Sequence, residues 1–247
     1  MCVPAWWAHR AGACGGVAEL GKHPYLRSTG QYQRHFDAHV NFTTGRRRQA
    51  KLKVPGHAPH FNRRVLHEIA VRPPHEALHD ELVGDENAEV VLREALHERS
   101  LPPSYWQHPI VQKSAVPVWP VAFYLDGMPT TKKDGVIAFV VCNILTRKRH
   151  LACVIRKSRL CRCGCRGWCS LWVVMNYIAW SLVAAGEGQF PAGGCEGMVW
   201  DDMSERASWA GTALRGVFAC IQVKCDWLES ATSLGFPSWS SDLFPCL

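Results

Sequence analysis

Val118-Trp119-Pro120-Val121-Ala122-Phe123-Tyr124-Leu125-Asp126 is the stretch that decides the fold. An apolar run of strand length, rich in β-branched and aromatic residues and closed by an aspartate, predicts a buried strand. Pro120 has no N–H to give a sheet, so it is tolerated only near the strand's start. Gly127-Met128-Pro129 then reads as a turn, and Val136-Ile137-Ala138-Phe139-Val140-Val141-Cys142-Asn143 as a second strand. Thr146-Arg147-Lys148 is the next turn and residues 150–156 the third strand. Strands this close in sequence predict an antiparallel meander. Next, Trp168, Leu171, Trp172, Met175, Ile178, Ala179 and Leu182 recur at helical spacing, so an amphipathic helix is expected to pack these residues on the sheet. Gly186 and Gly188 end it. Residues 189–216 are loop-like with a short helix near 205–210, and residues 218–226 form a fourth strand. Strand-strand-strand-helix-strand is an α/β arrangement, and a returning helix lays strand four parallel to strand one in a mixed sheet.

Outward from this core the composition changes in blocks. The 247 residues carry a formal charge of +7, with 12 His and 12 Cys. Eleven His precede residue 115, and ten Cys follow it. Residues 10–64 hold 11 Lys/Arg and two acids, residues 65–99 hold nine acids and three bases, and residues 135–186 hold eight bases and no acid. The expected organisation is a flexible, irregular basic arm over 1–64, short acidic helices and a Pro-rich linker over 65–117, and an α/β domain over 118–247. Glu76-Ala77-Leu78-His79-Asp80-Glu81 is echoed by Glu94-Ala95-Leu96-His97-Glu98, with Gly84-Asp85 breaking the stretch into two helices. Half-apolar, ordinarily charged composition excludes a wholly disordered or collagen-like chain, and the cysteine content is below that of a disulfide scaffold. The start of the chain has an apolar stretch too short for a secretory signal. The apolar run over 171–185 is shorter than the roughly 20 residues a membrane span needs. The expected setting is intracellular, nuclear or cytoplasmic, with reduced thiols and no membrane.

Four groups of residues carry candidate chemistry. Asp126 and Asp226 both end apolar strands, where paired carboxylates can hold two Mg²⁺ for phosphoryl transfer; strand ends also carry Asp simply because loops are polar. Cys161, Cys163, Cys165 and Cys169 form C-x-C-x-C-x₃-C among Arg159, Arg162 and Arg166. Gly164 permits the tight turn that four zinc thiolates require; the alternative is a set of reduced thiols capping the following helix. His75-Glu76-Ala77-Leu78-His79 matches H-E-x-x-H, the zinc-protease pattern with Glu as base, although Asp80 and Glu81 put charge where an active-site helix wants apolar residues. Basic residues suited to phosphates are Arg46, Arg47 and Arg48 on the arm, and Arg147, Lys148, Arg149, Arg156 and Lys157 along the meander; a solvated surface has the same composition.

Longer words within the chain resemble a known family. Val118-Trp119-Pro120-Val121-Ala122, Tyr124-Leu125-Asp126-Gly127, Cys161-Arg162-Cys163-Gly164-Cys165-Arg166-Gly167-Trp168-Cys169 and Leu234-Gly235-Phe236-Pro237-Ser238-Trp239 resemble a repeated, mobile-element-derived protein family of protist genomes. The likeness runs from Leu101 to Cys246. More distantly, strand-Asp-Gly, meander, long helix and strand-Asp resemble transposases with a ribonuclease-H-like DDE/D core. That resemblance implies an incomplete ribonuclease-H-like mixed sheet, Mg²⁺ on Asp126 and Asp226, and a nucleic-acid partner for DNA strand cleavage or transfer. It places Cys225 where the pattern has Gly, and it implies a third acid beyond Leu247, so the domain is expected to be truncated and its activity degenerate. A non-catalytic nucleic-acid-binding module with zinc on the four cysteines is the alternative, and the H-E-x-x-H protease the third.

Overall fold

β-Branched and aromatic residues, buried without a break over Val118–Phe123, form the centre of one six-stranded sheet. In the computed structural model, which describes residues 49–58, 62–131, 134–200 and 204–225, the strands are β1 (Ala50–Ala58), β2 (Arg63–Val71), β3 (Val118–Pro129), β4 (Gly135–Asn143), β5 (Arg149–Arg156) and β6 (Val217–Cys225). Their order is β1-β2-β5-β4-β3-β6. β3, β4 and β5 form the antiparallel meander, and β6 returns parallel beside β3. The mixed α/β sheet expected from the sequence is present, with its last described strand ending at Cys225.

Among the described residues six α-helices surround it: α1 (Pro74–Val83), α2 (Ala88–His97), α3 (Pro103–Trp106), α4 (Pro109–Lys113), α5 (Trp168–Glu187) and α6 (Glu205–Trp209). α1 stops at Gly84, whose N–H caps Asp80 O, so the repeated acidic words become two helices. α1 and α5 cover one sheet face, burying Leu78, Phe123, Leu125, Phe139, Val174 and Ile178 together. α2 and α3 close a second cluster around Ala95, Tyr105, Val118 and Ala219, where the Tyr105 hydroxyl donates to Val118 O at 2.8 Å.

Three expectations need correction. First, Gly127-Met128-Pro129 is strand, paired with Ile137, Val136 and Gly135. The chain reverses over 130–134, because Asp134 closes the turn: its carbonyl accepts from Thr130 N and Thr131 N, and its carboxylate from Gly135 N.

Second, the basic arm does not extend to residue 64. Residues 50–58 and 63–71 pair as an antiparallel hairpin, and the compact unit starts at Ala50. Val54 is buried, and the hairpin joins the sheet at Val71, opposite Cys153, and at a Gly56–Leu160 bridge. Alternation in Leu52, Val54, Val65, His67 and Ile69 was masked in the sequence by the interspersed Lys, Pro and Arg.

Third, α5 turns a different face inward. Ser170, Leu171, Val174, Tyr177, Ile178, Ser181, Ala184 and Ala185 are buried, whereas Trp168 and Trp172 are 42% and 57% exposed. Small residues let the helix lie close to the sheet, and hydrogen bonds satisfy the two serine hydroxyls, which removes the cost of burying them. Ser181 Oγ bonds both His75 N (3.0 Å) and His75 Nδ1 (2.7 Å). Ser170 Oγ accepts from Cys161 N at 2.8 Å and donates to Pro55 O at 2.5 Å. By length and composition α5 is apolar enough to cross a membrane, with 44% of its most apolar window buried in the fold.

Gly56 marks how closely the hairpin is seated. A Cβ there would stand 2.4 Å from Arg159 O and 2.5 Å from His67 Cδ2. Gly56→Val must push the hairpin off the Arg159 backbone, at roughly 1–3 kcal/mol for a forced overpacking. Thermal unfolding should show a melting temperature lower by roughly 2–10 °C, and an unchanged one would mean the hairpin is not held there.

Candidate metal centre

The loop between β5 and α5 is built by residues that accept left-handed backbone. A single 3₁₀ turn over Lys157–Arg159 follows β5, and Gly164, Arg166 and Gly167 then have φ of 94°, 52° and 87°. These reversals bring Cys161, Cys163, Cys165 and Cys169 together, with all four Sγ atoms within 4.8 Å of one another. Cys163 Sγ and Cys169 Sγ are 3.7 Å apart. A tetrahedral Zn–S₄ centre with Zn–S near 2.3 Å has sulfur–sulfur edges of about 3.8 Å, so the donor set fits zinc in number, softness and spacing.

The protonation pattern fits a cation site as well. Burial opposes ionisation of Cys165, but the Cys169 N–H, 3.4 Å from its sulfur, and hydrogen bonds from the neighbouring thiols hold it at about 6. Its partner Cys169 is pushed up to about 12, chiefly by the hydrogen bond it shares with Cys165 and next by that with Cys163. One sulfur is thus ready as thiolate, and metal entry would displace the remaining protons. The nine described cysteines are all free thiols.

Around this loop Arg156, Lys157, Arg159, Arg162 and Arg166 are exposed. Arg147, Lys148 and Arg149 stand at the opposite end of β5, about 23 Å away along an eight-residue strand. Lys148 there pairs with Asp85 at 2.7 Å. The basic residues of the meander therefore form two groups instead of one band. Arg46, Arg47 and Arg48 lie outside the described residues.

Asp126 sits half-buried on β3 opposite Ala138. Asp226 lies outside the described residues. The residues preceding the two aspartates, Leu125 and Cys225, are register partners in the parallel β3–β6 pair.

His75, Glu76 and His79 have a structural job. His75 is 1% exposed, bonded to Ser181, with its ring edge-on to Trp180 and Phe190. Burial, then the charge of Arg206, then His79, hold its imidazole at about 3 instead of 6.5, so it stays neutral. Glu76 is 2% exposed and takes a bidentate pair from Arg206, at 2.5 and 3.0 Å. His79 Nδ1 accepts from Arg215 N at 3.0 Å. Among the described residues, the converging ligand group is that of the four cysteines. The same helix carries a second buried acid, Glu81, for which the sequence alone names no partner. Glu81 receives Asn143 Nδ2 at 3.0 Å, Thr146 Oγ1 and His150 Nε2. The available signal was Asp80-Glu81 on a helix with few apolar residues, which needed buried polar partners to pack at all.

Comparison with known proteins adds no relative: no family model, no curated protein and no solved structure matches the chain.

Cys163→Ser and Cys169→Ser should each release zinc from protein purified under reducing conditions, measured as metal per chain by elemental analysis. His75→Gln and His79→Gln should leave that stoichiometry unchanged. Zinc lost with the histidines and retained without the cysteines would reverse the assignment.

Proposed function

We propose that this chain is a zinc-stabilised nucleic-acid-binding α/β module, in which the cysteine loop orders a basic surface for phosphates. The observation that carries this reading is the convergence of four thiol sulfurs within 4.8 Å in a loop bearing Arg159, Arg162 and Arg166. Zinc supplies a cross-link that fixes the short loop, and the protein's part is done by cations. Arg156 and Lys157 extend the same surface; residues 135–186 contain no acid, and Asp134 just before them stands 3.9 Å from Arg156. Guanidinium groups bind phosphate oxygens in a planar, bidentate manner and release condensed counterions on doing so. A nuclear or cytoplasmic setting suits the reading, because its reducing conditions leave the thiols free for metal.

Neutralising about five phosphates predicts a loss of affinity on the order of a hundredfold between about 50 and 200 mM salt. Fluorescence anisotropy with a labelled oligonucleotide measures it. Arg159→Gln, Arg162→Gln and Arg166→Gln together should weaken binding and flatten the salt slope, and chelation of zinc should do the same. Binding that is insensitive to salt, or absent at 50 mM, would end this reading.

A second reading keeps catalysis and a ribonuclease-H-like core, with Mg²⁺ held by Asp126 and Asp226 for DNA strand cleavage. What favours it is the meander–helix–parallel strand order, with Leu125 and Cys225 as register partners one residue before each aspartate. Carboxylates projecting from neighbouring parallel strands can share a pair of metal ions. Mg²⁺-dependent nicking of supercoiled DNA that disappears in Asp126→Asn would establish it; nicking equal in the variant, or none in the parent chain, would remove it.

A further inference from the structure

The first two turns of α5 expose what a core helix ordinarily hides. Trp168 and Trp172, four residues apart, lie side by side with ring centroids 6.1 Å apart and planes tilted by 46°. They are 42% and 57% exposed, on the side of the helix roughly opposite its buried face. Cys169 stands between them in sequence, and Trp168 N donates to Cys165 O at 2.9 Å. The start of the helix that carries the indoles is therefore tied to the cysteine loop. Arg159, Arg162 and Arg166 precede them on that loop, all exposed. Further along α5, Asn176 meets Glu196 at 3.4 Å, which bounds the surface with the opposite charge.

Exposed indoles set among arginines fit one class of partner better than others. A duplex hides its base faces in the stack and offers a loop of this kind only phosphates. An unpaired strand offers phosphates and free base faces together, and stacking on aromatic side chains is tolerant of sequence. The geometry points to single-stranded nucleic acid as the ligand: we propose that bases stack on Trp168 and Trp172 while Arg159, Arg162 and Arg166 hold the flanking phosphates. This rests on the nucleic-acid-binding reading above and specifies its ligand. The cysteine loop then has a defined part to play, because closing it around zinc fixes the indoles relative to the guanidinium groups.

The test uses the full chain, reduced and zinc-loaded, with a labelled 12-mer of deoxythymidine, a mixed-sequence single strand, and that strand annealed to its complement. Anisotropy titrations should give single-strand affinity at least about tenfold above duplex affinity, since each stacked base contributes on the order of several-fold to a hundredfold. Trp168→Ala with Trp172→Ala should remove at least about tenfold of single-strand affinity and leave duplex binding unchanged. Trp168→Phe with Trp172→Phe should recover most of the loss, which a general packing defect would not do. Both pairs are checked for zinc content and melting temperature, and exposed positions predict little change in either. Equal affinity for single strand and duplex, or single-strand binding untouched by the alanine pair, would overturn stacking while leaving salt-dependent phosphate binding standing. Loss of duplex and single-strand binding alike in the alanine pair, with zinc and melting unchanged, would also overturn it. Absence of binding to every probe at 50 mM salt would remove the nucleic-acid reading and this inference with it. A protein partner captured by the tryptophans, with no oligonucleotide bound, counts against it equally.

Discussion

Two buried hydroxyls set the orientation of α5, and the fold around the cysteine loop depends on that orientation. Ser170 and Ser181 occupy the helix face against the sheet, where an unsatisfied hydroxyl costs about 1–3 kcal/mol. Each finds two partners: Ser170 the Cys161 amide and the Pro55 carbonyl, Ser181 the amide and Nδ1 of His75. Those bonds tie α5 to the cysteine loop and β1 at one end and to α1 at the other. A helix turned to bury Trp168 and Trp172 would gain apolar area but would break all four bonds. It would also need room for two indoles where Ser, Val and Ala now sit against a closely packed sheet. The seated helix thus leaves its tryptophans outward and delivers Cys169 to the loop.

α1 extends the same logic of buried polar residues matched by partners. Its inward side carries His75, Glu76 and Glu81 beside Leu78 and Leu82. Glu76 holds Arg206 of α6, and Glu81 gathers Asn143, Thr146 and His150 at the β4–β5 turn. Removing one member of such a buried pair costs about 3–5 kcal/mol, whereas matched apolar replacement of both members can be neutral. These contacts therefore specify how α1 is seated more than they add net stability. They also explain why an H-E-x-x-H word can stand in this chain as a clamp between α1, α5 and α6.

What the sequence made legible follows from which force dominates locally. The meander, the 20-residue span of α5, the break at Gly84 and the short helix near Glu205 rest on long apolar runs or on glycine, and hydropathy and turn chemistry report those directly. The clustering of Cys161, Cys163, Cys165 and Cys169 was legible because the thiols lie within nine residues of one another. The inward face of α5 was not, since hydropathy favours Trp over Ser and carries no record of a distant hydrogen-bond partner. Nor was the β1–β2 hairpin, whose seating depends on Gly56 lying under the Arg159 backbone, a contact made across a hundred residues. The basic residues of the meander read as one band in sequence, and β5 then carried them to opposite ends.

One ion shared by the four cysteines would fix the loop from which α5 and its tryptophans start. X-ray absorption at the zinc edge of the full chain, prepared under reducing conditions, tests this most directly. A first shell of four sulfurs at about 2.3 Å is the predicted result. A shell containing imidazole nitrogen, or fewer than three sulfurs, would contradict it.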